Sequence, residues 1–187
     1  MINSRRIYIY LKGNHSQDLI NFILEYDEDI EVNHYRDNVL LLKTDSDSYG
    51  EIIDSAREFS LVELYQDFTV FIAPKEFDFH IDELLKILPL LSPKIYTMEL
   101  LIPEIIFLEE HDLTLKLKNH YYSKFNSETI ETILGFIEQN MNASKTSKSL
   151  YMHRNTLNYR LDNFIQKTEI DVRTFKGALA IYLLFRR

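Results

Sequence analysis

The sequence predicts an α+β fold: an N-terminal βαββαβ ferredoxin-like sandwich, then an all-α domain ending in a helix-turn-helix. Three observations lead there. Short runs rich in β-branched and aromatic residues, at 6–12, 31–34, 39–44 and 68–73, alternate with two segments of helical periodicity. Beyond residue 74 helical patterns dominate, with one short extended stretch. Near the C-terminus Leu157, Leu161, Phe164 and Ile165 recur at i, i+4, i+7 and i+8, the buried stripe of a helix that follows a shorter helix and a turn. The predicted divisions are 1–74 for the sandwich, 75–126 for a helical linker region and 127–187 for the helix-turn-helix domain.

Residues 6–12 (RIYIYLK) read as the first strand. Ser16 is placed to cap a helix whose apolar face is Leu19, Ile20, Ile23 and Leu24. The strands at 31–34 and 39–44 flank Tyr35-Arg36-Asp37-Asn38, a hairpin connection. Ser46 or Asp47 starts a second helix, with Ile52, Ile53, Ala56 and Phe59 inward. The strand at 68–73 is closed by Pro74. This order is a split βαβ arrangement, two helices lying on one face of an antiparallel sheet.

In the connecting region Ile81, Leu84, Leu85 and Leu88 form one helical face, ended by Pro89 and Pro93. Residues 95–98 read as extended, and 99–108 as an apolar helix that tolerates Pro103 near its start. Asp112 is placed to cap the next helix, through Leu115 and Leu117 toward Tyr121. Asn126 or Ser127 caps a long helix to residue 140, with Ile130, Ile133, Leu134 and Ile137 inward. The last apolar stretch, 175–185 (FKGALAIYLLF), reads as the closing core helix, with half of a dimer interface as the alternative.

The chemistry sits in residues 144–167, SKTSKSLYMHRNTLNYRLDNFIQK. Ser144 is placed to cap a helix over 145–150, where Thr146 and Ser147 are small enough to let a neighbour approach. Tyr151, Met152 and His153 form the turn. Across from the buried stripe of the second helix lie Asn155, Tyr159, Asp162 and Gln166, with His153 and Arg154 at its N-terminal end and Asn158 and Arg160 flanking. Arg, Asn, His and Tyr hydrogen-bond to phosphates and base edges, and a helix presenting them from its first turns suits a major groove. The candidate DNA-binding residues are Ser144, Lys145, Lys148, His153, Arg154, Asn155, Thr156, Asn158, Tyr159 and Arg160. A polar helix face is also commonly just a solvated face, and short amphipathic helix pairs occur in bundles that touch no nucleic acid.

HRNTLNYRL, residues 153–161, resembles the C-terminal helix-turn-helix of the PucR/CdaR family of bacterial transcriptional regulators, whose members show His-Arg-Asn-Thr-Leu, any residue, then Tyr-Arg-Leu. The flanks agree. Residues 132–138 (TILGFIE) resemble the family's preceding helix, 140–142 its Asn-containing connection, and 168–172 (TEIDV) the segment where members usually have Thr-Gly-Leu-Asp-Leu. Ser147 stands for a usual Ala, Asn158 for a common Arg or Gln, and Glu169 for a usual Gly, which removes an easy left-handed cap after the second helix. The resemblance is specific over about residues 127–185. It implies a sequence-specific DNA-binding regulator, and a homodimer on double-stranded DNA, because one short helix reads few base pairs. It also implies a degenerate cyclase-like N-terminal domain. In such cyclases the catalytic signature occupies the central hairpin, which here holds Arg36-Asp37-Asn38 and no glycine pair. Without glycine the backbone cannot approach a triphosphate closely, and one Asp is a poor metal cluster, so no enzyme activity is expected.

Composition bounds the alternatives. The 187 residues are 45% hydrophobic and contain no cysteine, so disulfides, zinc knuckles and thiol sensing are excluded, which fits the cytoplasm. Arg5 and Arg6 lead into a short alternating stretch, so no secretory leader is expected, and no apolar run spans a membrane. The net charge of −8 is uneven: from residue 141 onward nine Lys/Arg face three Asp/Glu, a net +6, leaving −14 for 1–140. That segregation is the footprint of an end that meets phosphates. The six histidines fall at no metal-ligand spacing; His111 among Glu109, Glu110 and Asp112, and the acidic run 27–29, read as solvated charge. No cofactor is implied, and a small-molecule effector is left open. The competing function is a protein-interaction module whose helix-turn-helix is silent.

Overall fold

A computed structural model describes residues 4–13, 15–27, 29–46 and 48–186. Asp47, Glu28 and Arg187, named above as a helix start, part of an acidic run and part of the basic end, lie outside the described residues. The chain forms two compact units, the first running to Phe77 and resuming at Asp82–Thr97, the second comprising Asp78–Ile81 and Met98 onward.

The first unit holds β1 (Arg5–Leu11), α1 (Ser16–Tyr26), β2 (Glu31–Arg36), β3 (Val39–Thr44), α2 (Tyr49–Glu63), β4 (Phe68–Ile72) and a short β5 (Ile95–Tyr96). The sheet order is β2-β3-β1-β4-β5, antiparallel except for the parallel β4–β5 pair. Successive side chains of β1 point to opposite faces of the sheet, and both faces are covered, so Ile7, Tyr8 and Ile9 are all buried. Ile7, Ile9 and Leu11 join Leu40, Leu42, Phe68 and Val70 beneath Leu19, Ile20, Ile23, Ile52, Ile53 and Ala56 of the two helices. Tyr8 is also buried; its ring is 6.3 Å from Phe71 and meets Tyr35 edge-on at 5.4 Å. The hairpin closes on Asp37-Asn38, with Asp37 at φ 36°, a left-handed conformation that Asp tolerates. Arg57 of α2 grips Asp67 at 2.8 and 2.7 Å, fixing the start of β4.

Several local expectations are corrected. Ser16 is the first residue of α1, and His15 precedes it as a cap position without a side-chain hydrogen bond. α1 sits on Leu19, Ile20 and Ile23, leaving Leu24 exposed. α2 begins after Ser48, whose backbone N–H donates to Ser46 Oγ at 3.1 Å. Phe59 is half-buried, stacked 4.4 Å from Phe22. Beyond residue 74 the sheet continues: Val70 and Phe71 pair with Ile95 and Tyr96, and Arg57 donates to Pro93 O at 2.9 Å. A short helix α3 (Ile81–Leu85) and a 3-10 turn at Leu88–Leu90 bury Leu84, Leu85 and Leu88. The units therefore divide at 97/98, whereas the sequence reading divides at 74 and 126.

The second unit contains α4 (Met98–Phe107), α5 (His111–Lys124), α6 (Ser127–Glu138), α7 (Ala143–Ser149), α8 (Arg154–Thr168) and α9 (Phe175–Arg186). Asp112 is not a cap: α5 starts at His111, buries Leu113, Leu117 and Tyr121, and leaves Leu115 exposed. Asn126 caps α6 by accepting the Thr129 N–H at 2.8 Å. α6 ends at Glu138 because Asn140 (φ 54°) and Met141 (φ 59°) turn left-handed; Ile130, Ile133 and Phe136 are buried, Leu134 and Ile137 half-buried. α9 is the closing core helix. Ala178, Ala180, Ile181 and Leu184 are buried in it, and it packs along α4, whose Leu101, Ile102 and Ile105 are wholly buried.

Gly177 makes the entry to α9 feasible. A Cβ there would lie 2.1 Å from the Asp171 carbonyl oxygen, so backbone rather than a movable side chain blocks any larger residue. Gly177→Ala should therefore lower stability by about 3 kcal/mol or more in urea unfolding. Gly50→Ala, which meets nothing within 4 Å in the first turn of α2, should instead be neutral or raise it by up to about 1 kcal/mol.

Candidate nucleic-acid interface

α7 and α8 form the predicted helix-turn-helix. Asn142 begins it: its Oδ1 accepts the Ser144 and Lys145 N–H groups at 3.1 and 3.0 Å. Ser144 is thus the second residue of α7 rather than its cap, which corrects the sequence reading. Thr146 is fully buried, its hydroxyl donating to Asn142 O at 2.8 Å. The turn passes through Tyr151, left-handed at φ 50° and 97% exposed. His153 then caps α8, its Nδ1 accepting the Asn155 N–H at 3.2 Å.

α8 is held from behind. Leu157, Leu161 and Phe164 are wholly buried, each worth about 1.5–3 kcal/mol of apolar burial. The Phe164 ring lies 4.9 Å from Phe125 and 6.2 Å from Tyr121, at the C-terminal end of α5. Ile165, placed in the same stripe by its spacing, is half-buried. The opposite side carries exposed Asn155, Tyr159, Asp162 and Gln166, and Asp162 pairs with Arg173 at 2.8 Å.

The candidate residues fall into two groups. Ser144, Lys145, Lys148, His153, Arg154, Asn155, Thr156 and Tyr159 are exposed, and Asn158 is half-buried. Arg160 is the exception. Its guanidinium turns to α6, donating to Thr132 Oγ1 at 2.8 Å and to Glu128 Oε1 at 2.5 Å, and its side chain is 18% exposed. Partners 28 and 32 residues away draw the long side chain off the face that its helical angle suggested. Residues 141–161 contain four Lys/Arg and no Asp/Glu. With Arg160 paired internally, Lys145, Lys148 and Arg154 carry the outward positive charge.

Sequence reasoning passed over Tyr151, assigning it only to the turn; nothing local distinguishes an outward turn tyrosine from one folded back. It also passed over Asn142, although Asn leads the N-cap preferences and stands just before the helix. Glu169 itself takes the left-handed position after α8 (φ 56°), its N–H donating to Ile165 O at 2.7 Å. The substitution of a usual glycine therefore leaves the C-cap geometry in place. Elsewhere, His120 Nε2 lies 3.2 Å from Asp78 Oδ1, which also takes Lys124 Nζ at 3.0 Å, and burial lowers the His120 pKa. Among the described residues no three His, Asp or Glu side chains converge as a metal site, and no helix is long and apolar enough to cross a membrane.

Residues 129–186 match the PucR C-terminal helix-turn-helix domain. The chain is 38% identical over 91 residues to the protein YxkF of Bacillus subtilis, covering 47% of this chain and 31% of that one. It is 37% identical over 73 residues to the DNA-binding transcriptional activator AdeR of the same organism, covering 39% of this chain and 17% of AdeR. The chain thus spans under a third of the length of these relatives. A solved structure, a regulator of polyketide synthase expression from Bifidobacterium adolescentis, resembles it with a TM-score of 0.50 and 17% identity, over 97% of this chain and 78% of that one. At that identity the likeness concerns the fold.

The two arginines of the motif should separate in a stability measurement. Arg160→Met keeps the aliphatic stem and removes both α6 contacts. Because Glu128 is 66% exposed, its ion pair is screened, and most of the expected loss of about 1–2 kcal/mol comes from the Thr132 hydrogen bond. Arg154→Met should stay within about 0.5 kcal/mol of the parent by thermal or urea unfolding.

Proposed function

We propose that this chain, whose residues 129–186 are a PucR-type helix-turn-helix domain, is a sequence-specific DNA-binding transcriptional regulator that reads DNA through α8. The observation that carries the reading is the outward set Lys145, Lys148, His153, Arg154, Asn155 and Tyr159, on a helix pair whose reverse side is fixed in the core. Arg154 and Asn155 occupy the first turn of α8, where side chains reach base edges in a major groove. Lys145 and Lys148 on α7 suit backbone phosphates. The likeness to AdeR, a DNA-binding transcriptional activator, supports the same reading.

A cytoplasmic homodimer is the assembly this function calls for, since one short helix addresses few base pairs and regulators pair half-sites. The N-terminal unit is read as a degenerate cyclase-like sandwich without enzyme activity. Its hairpin is a two-residue turn, and Arg36 is engaged with Asp82 at 3.2 Å. Nucleoside triphosphates with Mg²⁺ or Mn²⁺ should give no product; turnover abolished by Asp37→Ala would replace the binding reading with an enzymatic one.

DNA selected from a random pool tests the regulator reading directly. Arg154→Ala and Asn155→Ala should each cost about 1–3 kcal/mol on the selected site and little on random DNA. Lys145→Gln and Lys148→Gln should weaken binding to both and flatten the slope of log K against log salt by about one unit each. Failure of the unaltered protein to be retained on a DNA column would favour an interaction module with a silent helix-turn-helix.

A further inference from the structure

His153 caps α8 through one nitrogen of its ring, and that contact selects a tautomer for the neutral imidazole. Its Nδ1 lies 3.2 Å from the backbone nitrogen of Asn155 and accepts that N–H, closing the start of α8. A ring nitrogen accepts only when it carries no proton, so the neutral imidazole in this position holds its single proton on Nε2. The ring is exposed, and the cap occupies the inner nitrogen, so Nε2–H is what the side chain offers to solvent. It stands beside Arg154 in a stretch, 141–161, that contains no Asp or Glu. No carboxylate in that stretch competes for the donor.

Resting on the DNA-binding reading, we infer that His153 is a neutral hydrogen-bond donor to a DNA phosphate oxygen through Nε2–H, in the tautomer its capping bond selects. The assignment separates it from its neighbours. Arg154 and the two α7 lysines bring charge and release counterions, whereas His153 brings a directed bond without charge. It positions the first turn of α8 against the backbone and carries no base information.

The ring state is measurable without DNA. The ¹⁵N shifts of the His153 imidazole at pH 8 should report the proton on Nε2; a ring protonated on Nδ1 would overturn the inference. His153→Ser keeps a side-chain acceptor at the cap but cannot reach outward, whereas His153→Ala removes both functions. His153→Ser should therefore melt near the parent temperature, and His153→Ala about 2–4 °C lower. On DNA, His153→Ser should lose roughly tenfold in affinity on selected and random duplexes alike, with the salt slope unchanged. A loss confined to the selected site would mean a base contact and overturn the phosphate assignment, as would unaltered affinity. If the parent protein binds no duplex while its ring still shows the Nε2 proton, the regulator reading and the phosphate contact fall together and the tautomer stands.

Discussion

The Phe164 ring is wholly out of solvent against Phe125 and Tyr121, and the polar side of α8 can face outward only because that ring, with Leu157 and Leu161, secures the opposite side. Fifteen residues are committed to α8, yet its exposed face contributes little to its own stability. Tertiary burial therefore has to supply most of it. The Arg160 contacts with Thr132 and Glu128 add a second point of attachment, to α6. One aromatic anchor and one hydrogen-bonded clamp on two different helices restrict both the depth and the roll of α8. The DNA-reading role proposed for α8 needs both, since side chains that read bases have to arrive at fixed positions.

Periodicity made most of this legible. The stripe 157–161–164, the β-branched and aromatic run of β1, and most of the inward sets of α1, α2 and α6 were visible because each is a pattern within one element. The helix-turn-helix was legible for a different reason: its motif is nearly unbroken. What was hidden depends on partners far along the chain. Arg160 looked outward by helical angle, and only Thr132 and Glu128, on another helix, turn it round. The division at 97/98 was equally hidden, because β5 contributes just two residues to the sheet, and α4 joins α9 across about seventy residues of sequence.

Cap positions show a subtler limit. Ser16, Ser144 and Asp112 are all capping residue types near a helix start, and each was assigned a cap it does not form. Propensity locates the neighbourhood of a helix end, whereas the cap itself needs one residue with extended backbone, such as Asn142 at φ −97° and ψ 101°. Of the two residues offered as a cap for α6, Asn126 forms it and Ser127 is the first residue of the helix. The left-handed Glu169 belongs to the same class: the backbone bond to Ile165 O holds a conformation that its side chain does not favour.

On the proposed DNA-binding reading, the inward turn of Arg160 limits how much sequence a single copy of the chain can distinguish. With that side chain withdrawn, any base reading by α8 would rest on its first turns, on the order of four base pairs. A given tetranucleotide recurs by chance about once in 256 base pairs, while a genome offers on the order of a million or more competing positions. An address that short is ambiguous thousands of times over. Doubling the word length squares the odds against a chance match, so on the proposed reading a second copy of the module would supply discrimination that no refinement of a single helix could reach.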